Sequence, residues 1–472
     1  VTILNVESSA DLTLDLMSRV GVDGESVRLG ERALQGIRRR RREFVEFVEA
    51  NSDRHLYGIT TRHHTGAKSI LDPASRAEYA ARLPTTPATV GESLPQRVLR
   101  MIVLARLADV LNGTACLRPE TAQRLVSMLD QELPPVPVRG NGEPGDIIAL
   151  GHLFRERFEG SLELGEGMAL INGSPVAVAA LCDVSLVGRE RILRSLDAFA
   201  LASVAADVPV EHYSCWLDVA WNDPHQTATL AAFRERLEGV DSETRRAYQA
   251  PVSFRSAPRV VGWAIRCQQQ VEDACSVVLP ASSNNPIYVG PESEPPLGAV
   301  ISNGGYHNAV VTPSIDALSH AWADLCQLAT AQVNQLVEDP AGLVSGEPEP
   351  QVSVFYMASA GWAEEARAAA THTLISTAAG GQTDTGTPDL LAWRKGQEVG
   401  QALDANLTLL TIAAAHTIAH KGRAVPPGLV KLHDQVMEKF PLGSAPIDFR
   451  RQLSDVAESL NNLSRTQPLK AS

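Results

Sequence analysis

The chain has 472 residues, 44% hydrophobic, 21% charged and 5% aromatic, with a formal net charge of -13 at pH 7. At about 150 residues per domain, this length predicts two to three structural regions with enough apolar mass for a large core. The acidic balance argues against a nucleic-acid or anionic-membrane surface and reads as ordinary solubility. No uninterrupted apolar run approaches the roughly 18 residues of a membrane span. Val1 to Arg32 mixes Asp, Glu and Arg among its apolar residues and lacks the signal-peptide pattern. Cys116, Cys182, Cys215, Cys267, Cys275 and Cys326 are scattered without a CxxC pair, so reduced cysteines and a cytoplasmic compartment are expected. No metal site is expected either, because no His stands near Cys267 and Cys275.

The first clear helix falls over residues 97–111, where Arg97, Arg100 and Arg106 interrupt near-continuous apolar positions and Asn112-Gly113 supplies a C-terminal stop. Pro134, Pro135 and Pro137 then break the pattern. Arg139 to Gly145 holds three glycines and a proline, a loop with unusual backbone dihedrals. Long helices are predicted at 187–206 and 315–339. In the second, Leu318, Trp322, Leu325, Ala329 and Leu336 make a bundle stripe that Pro340 closes. Residues 361–378 read as another helix, with Glu364 and Glu365 at its positive end. A glycine- and threonine-rich loop from Gly380 to Pro388 follows, and an amphipathic helix at about 447–465 ends the pattern. Strand signals are few. The predicted fold is mainly α, a long-helix bundle over 191–472 behind a mixed, loop-rich region over 1–190 that carries the chemistry.

Several ordered stretches carry a resemblance. Tyr57-Gly58-Ile59-Thr60-Thr61 begins like YGxNTGFG, but Arg62-His63-His64 replaces Gly-Phe-Gly. Val90 to Pro95 (VGESLP) is similar to VGEPLP, and Glu166 to Ser174 (EGMALINGS) to EGLALINGT. Gln249 to Arg255 (QAPVSFR) resembles QDPYSLR, Asn284-Asn285-Pro286 resembles DNP, and Ser302 to His307 (SNGGYH) resembles SGGNFH. Together they resemble the histidine and aromatic amino-acid ammonia-lyase and aminomutase family, in order from about Tyr57 to Glu398. The wider fumarase and aspartase group shares the helical bundle, but its GSSxMPxKxN-like serine loop is absent here.

The departure lies at the chemical centre. Between Pro137 and His152 the family carries an Ala-Ser-Gly triad, and here those positions read Glu143-Pro144-Gly145. In the family the triad cyclises and the serine loses water, giving the electrophile 4-methylideneimidazol-5-one. Pro144 has neither the hydroxyl nor the backbone N–H, so no cofactor is expected.

The resemblance implies that Tyr57 is the catalytic base. A phenol with an ordinary pKa near ~10 needs positive surroundings for that role, and Arg62, His63 and His64 could supply them if the loop folds back. Arg255 matches the substrate-carboxylate arginine, which suits a bidentate fork. Asn172 matches an asparagine near cofactor and substrate, and Tyr306 an aromatic of the same site. Gln249 and Glu398 match pocket-wall residues. Glu143 is new, and could bind an ammonium, act as an acid–base partner or pair with Arg139. Thr86 stands where histidine-specific members usually carry a histidine, which argues against an imidazole substrate.

Two functions follow. One is a cofactor-less enzyme of specialised metabolism that uses Tyr57 on an activated, carboxylate-bearing or amino-acid-like small molecule, by elimination, conjugate addition, isomerisation or cyclisation. The other is an inactive homologue that binds a metabolite or partner subunit. The resemblance further implies a homotetramer whose sites combine loops from several subunits.

Overall fold

The computed structural model describes residues 3–142, 144–241, 245–337, 351–381, 383–441 and 449–465, so Glu143 and Pro340 lie outside the described residues. Two compact units divide the chain, each assembled from three segments. The first holds 1–186, 271–315 and 372–394; the second holds 187–270, 316–371 and 395–472.

The first unit is built around the Gln96–Leu111 helix, buried along nearly its whole length. Residues apolar on every side make a core helix rather than an amphipathic one. Gly113, at φ 70°, ends it in the left-handed conformation that glycine reaches without a Cβ clash. Gly21 closes the Leu14–Gly21 helix against it, where an added Cβ would stand 2.6 Å from the Met101 side chain. A two-stranded parallel pair joins Ile3–Val6 to Ser26–Leu29.

In this unit Arg97 donates to Asp183 at 2.7 Å, and the Trp393 indole N–H donates to the same carboxylate at 2.8 Å. Asp183 is almost fully buried, so these charge-assisted bonds offset its desolvation. All six cysteines are free, and all but Cys215 are buried.

In the second unit Asp404 accepts from Arg191 at 3.0 Å and Arg194 at 2.8 Å. The Arg191 guanidinium lies 4.5 Å from the centre of the fully buried Trp322 ring, a cation–π contact sheltered from water. Asn406 donates to the Thr330 hydroxyl at 2.9 Å and to the Ser359 carbonyl at 3.1 Å.

The helices predicted at 315–339 and about 447–465 are Val311–Val337 and Phe449–Arg465. The one predicted at 187–206 begins earlier, as Pro175–Ala205, and Asp389–His420 is a long helix that the sequence reading does not place. The stretches Glu166–Ala205 and Asp389–His420 are long and apolar enough to cross a membrane by composition. Their most apolar windows are 89% and 83% buried inside the protein, as core helices are.

One prediction is corrected. The helix expected over 361–378 is Phe355–Ala369, and Ser376–Gly380 instead pairs antiparallel with Thr383–Gly386 inside the expected loop. Thr371, Thr373, Ile375 and Thr377 are β-branched at alternate positions, a pattern that suits a strand better than another helical turn.

Candidate active site

The Tyr57 loop is set by its neighbours. Leu56 and Ile59 are buried with Phe44, Phe47, Val48, Cys116 and Tyr288 in one apolar cluster, so Tyr57 is held between two anchored positions. Gly58 sits at φ 67° with Met168 so close that an added Cβ would lie 2.5 Å from its side chain. The buried Thr60 hydroxyl accepts from Leu56 N–H at 2.8 Å and donates to the Arg54 carbonyl at 2.6 Å. These bonds close the turn without help from regular secondary structure.

Beyond Thr61 the chain folds back over the phenol. His64 takes a left-handed φ of 52°, and its backbone N–H donates to the Tyr57 oxygen at 3.3 Å. Its imidazole Nε2 lies 3.2 Å from the Thr383 hydroxyl. His63 Nδ1 lies 2.9 Å from the Tyr79 hydroxyl, with the two rings stacked at 6.2 Å.

The electrostatics differ from the sequence expectation. Burial pushes the Tyr57 phenol above its ordinary value, the His64 amide opposes this, and Tyr306 adds to the rise. The loop does fold back, but the donor it offers is a backbone amide. Arg62 is exposed, and His63 is itself pushed below its ordinary value by burial, then by His64 and Arg62. Burying a group disfavours its charged form, and here that outweighs the positive field expected of the trio.

Under this cluster lies the segment that replaces the triad. Pro144 and Gly145 are buried. Gly145 holds φ 82°, and a Cβ there would sit 2.8 Å from Asn172 Oδ1 and 3.6 Å from Tyr306 Cβ. Its carbonyl accepts from Gly173 N–H at 3.2 Å. Asn172 is 4% exposed, and its Oδ1 has no hydrogen-bond partner among the described residues. Asp146 accepts from Val176 N–H at 2.8 Å, at the start of the Pro175–Ala205 helix, where a carboxylate is favoured.

A buried clamp positions the Asn172 segment. Arg106 pairs with Asp109 and donates to the Asn172 carbonyl at 3.0 Å. Burial lowers Arg106 to about 10, with Asp146 opposing. Asp109 in turn accepts the amides of Ser283 at 2.6 Å and Asn284 at 3.0 Å. Sequence reading missed the roles of Arg106, Asp109, Tyr79 and Thr383. Their buried or facing partners lie far along the chain, and only the two charges inside an apolar helix gave a signal.

The first unit therefore brings Tyr57, His63, His64, Asn172 and Tyr306 into one region, with Thr86 exposed on its own loop. Gln249, Arg255 and Glu398 belong to the second unit, where Gln249 and Glu398 are exposed. Arg255 gives its Nε to the Ala250 carbonyl at 2.8 Å. That bond ties the Nε edge of the guanidinium to the main chain. No group of three His, Cys, Asp or Glu side chains suited to a metal occurs among the described residues.

Solved structures share this fold. Ergothionase from Treponema denticola superposes with a TM-score of 0.86 at 17% identity, covering 98% of this chain and 99% of that one. Tyrosine aminomutase from Streptomyces globisporus gives 0.84 at 21%, covering 98% and 97%. Histidine ammonia-lyase of Deinococcus radiodurans is 29% identical over 374 residues, 72% of this chain and 69% of that protein. That of Symbiobacterium thermophilum is 28% identical over 375 residues, 70% of each. The sequence profile of the aromatic amino acid lyases matches residues 12–156 and 159–439, and the chain belongs to that family of lyases and aminomutases.

Proposed function

We propose that this chain is a lyase-type enzyme that works without 4-methylideneimidazol-5-one and moves protons through Tyr57 on an activated, carboxylate-bearing substrate. The observation that carries the reading is Glu143-Pro144-Gly145 at the triad position, with the motif residues Tyr57, Asn172, Tyr306 and Arg255 kept in the sequence. The cofactor does not fit these residues. Ring formation needs a serine hydroxyl to leave and its nitrogen to become part of a dehydrated ring, and the closed pyrrolidine of Pro144 offers neither. Its neighbour Gly145 is pressed under Asn172 Oδ1, an acceptor left for a donor from the substrate.

Without an electrophile the substrate must carry its own activation, since each ~1.4 kcal/mol of barrier is tenfold in rate. An α,β-unsaturated or β-substituted carbonyl compound meets that need. Burial keeps Tyr57 a neutral phenol near pH 7, so it serves first as a proton donor and becomes a base after giving its proton up. Arg255 is the candidate holder of the substrate carboxylate. Assembly as a homotetramer in the cytoplasm belongs to this reading, and light scattering on the purified protein tests the assembly.

The test has two parts. Intact-mass measurement of the purified chain should match the unmodified sequence, and a mass short by the water lost in ring closure sinks the cofactor-less reading. A panel of enoates and β-substituted carboxylates, followed by absorbance of the conjugated double bond, should give turnover that Tyr57→Phe abolishes. Unchanged turnover in that variant removes Tyr57 from the chemistry.

A further inference from the structure

His63 and Tyr79 form a pair that the reading above leaves without a task. His63 stands where the resemblance leads one to expect an apolar phenylalanine, so an imidazole at this place needs its own account. Its Nδ1 lies 2.9 Å from the Tyr79 hydroxyl, and the rings stack with an interplanar angle of 25°. Tyr79 lies on the Pro73–Ala80 helix and is close enough to Tyr57 for that phenol to disfavour ionisation of Tyr79. His64, the next residue, binds the Tyr57 oxygen through its amide. The His63 imidazole is therefore gripped at one of its two nitrogens, next in sequence to the amide that binds the Tyr57 oxygen and against a phenol that feels Tyr57. Nε2 of His63 makes no hydrogen bond to a described residue, and His63 is only half-buried.

The grip decides the tautomer. A phenol this far above its ordinary value keeps its O–H at neutral pH, so Tyr79 has a proton to give to Nδ1 at 2.9 Å. Burial, His64 and Arg62 all hold His63 below its ordinary value, so it carries a single proton. With Nδ1 accepting, that proton sits on Nε2. A neutral imidazole with a fixed N–H can polarise a carbonyl without the solvation cost of a cation.

We propose that His63 is a catalytic residue that donates Nε2–H to the carbonyl oxygen of an α,β-unsaturated carbonyl substrate, with Tyr79 as the positioning residue that fixes its tautomer. The assignment rests on the cofactor-less reading and names its substrate class. In the addition direction the nucleophile bonds to Cβ through its lone pair and keeps its own proton, because the neutral Tyr57 phenol has no room for one yet. The C=C pair moves through Cα onto the carbonyl oxygen, where Nε2–H stabilises the developing charge. Tyr57 O–H then protonates Cα, and the resulting phenoxide takes the proton from the added nucleophile, whose H–nucleophile bond breaks at this step. The sum is addition of H and nucleophile across the double bond, and its reverse is elimination. His63 ends as it began, because it donates a hydrogen bond and keeps its proton.

The probe is 4-(dimethylamino)cinnamaldehyde, an enal whose absorption moves to longer wavelength when its oxygen is polarised. Bound to the full-length protein, it should show a band shifted to the red of the free dye. His63→Phe should bind the dye and lose the shift. Tyr79→Phe should bind it with a smaller shift, because the imidazole then samples both tautomers; a residue that merely packs would leave the band unmoved. Tyr57→Phe should keep the shift, which separates this assignment from the Tyr57 reading. A dye that does not bind, an unshifted band, or a shift that survives His63→Phe overturns the proposal. A shift lost only in Tyr57→Phe also overturns it, and leaves Tyr57 as the donor.

Discussion

Two polar regions of the first unit, a few residues apart through Asn172, use buried polar groups in opposite ways. The Arg106–Asp109 clamp spends its hydrogen bonds on the chain itself, gathering the Asn172 carbonyl and the Ser283 and Asn284 amides around one ion pair. The aromatic cluster around Tyr57 does the reverse. His63 Nδ1 meets the Tyr79 hydroxyl, the His64 amide meets the Tyr57 oxygen and His64 Nε2 meets the Thr383 hydroxyl, while Asn172 Oδ1 has no protein donor among the described residues. Bonds made to the main chain hold a fold in register, while a buried side-chain acceptor that faces a cleft is kept for something that arrives later. Asn172 belongs to both, with its backbone in the clamp and its side chain facing the cluster.

The largest effect should come from breaking the clamp. Asp109→Asn leaves Arg106 buried without its counter-charge, and a loss of about 3–5 kcal/mol is expected, read as a fall in unfolding midpoint or as insoluble protein. Tyr57→Phe should do the opposite, leaving thermal stability close to wild type while turnover falls by about 100-fold or more. If both variants lost the same stability, the contrast between the two regions would be false.

Asn172→Ala sharpens the contrast within one residue. The clamp uses only its backbone, so stability should change by less than about 1 kcal/mol, while substrate binding weakens. A large loss of stability would mean that the side chain serves the fold.

The smallest expected effect is a pH dependence. The folded state holds His63 below its ordinary value of 6.5. The unfolded chain therefore binds more protons between that value and the lowered one. The His63 contribution is full above about pH 6.5 and is lost as pH falls through the folded value. Unfolding midpoints measured from pH 7 downward should fall less steeply in His63→Phe, and a steeper fall would reverse the sign of the argument.

Much of the frame was legible because motif residues such as Tyr57, Asn172 and Gly145 have backbone or packing duties that few residue types can fill. The core helix was legible for a simpler reason, an apolar run with a glycine stop. What escaped was contact between distant segments. The His64 donor to Tyr57 is a main-chain amide, which every non-proline residue has, so no side-chain pattern announces it. Tyr79 meets His63 across a turn, and Thr383 meets His64 from the far end of the unit. Of the paired strands, Ser376–Gly380 was hidden at the end of an alanine-rich helical pattern, and Thr383–Gly386 because its threonines and glycine read equally well as a loop. Arg62, His63 and His64 were read as a positive field for Tyr57, yet burial dominates its shift, since composition reports charge and says nothing of burial.

The three-segment make-up of the first unit has a consequence for how the protein comes into being. Its last segment ends at residue 394, and Tyr306 and Thr383, which face Gly145 and His64, arrive on the second and third segments. A ribosome releasing the chain from its N-terminus has made most of the sequence before the pocket can be walled. Until then the Tyr57 loop has its anchors but no far side, and any nascent chain cut short before Thr383 carries the phenol without the enclosure that tunes it.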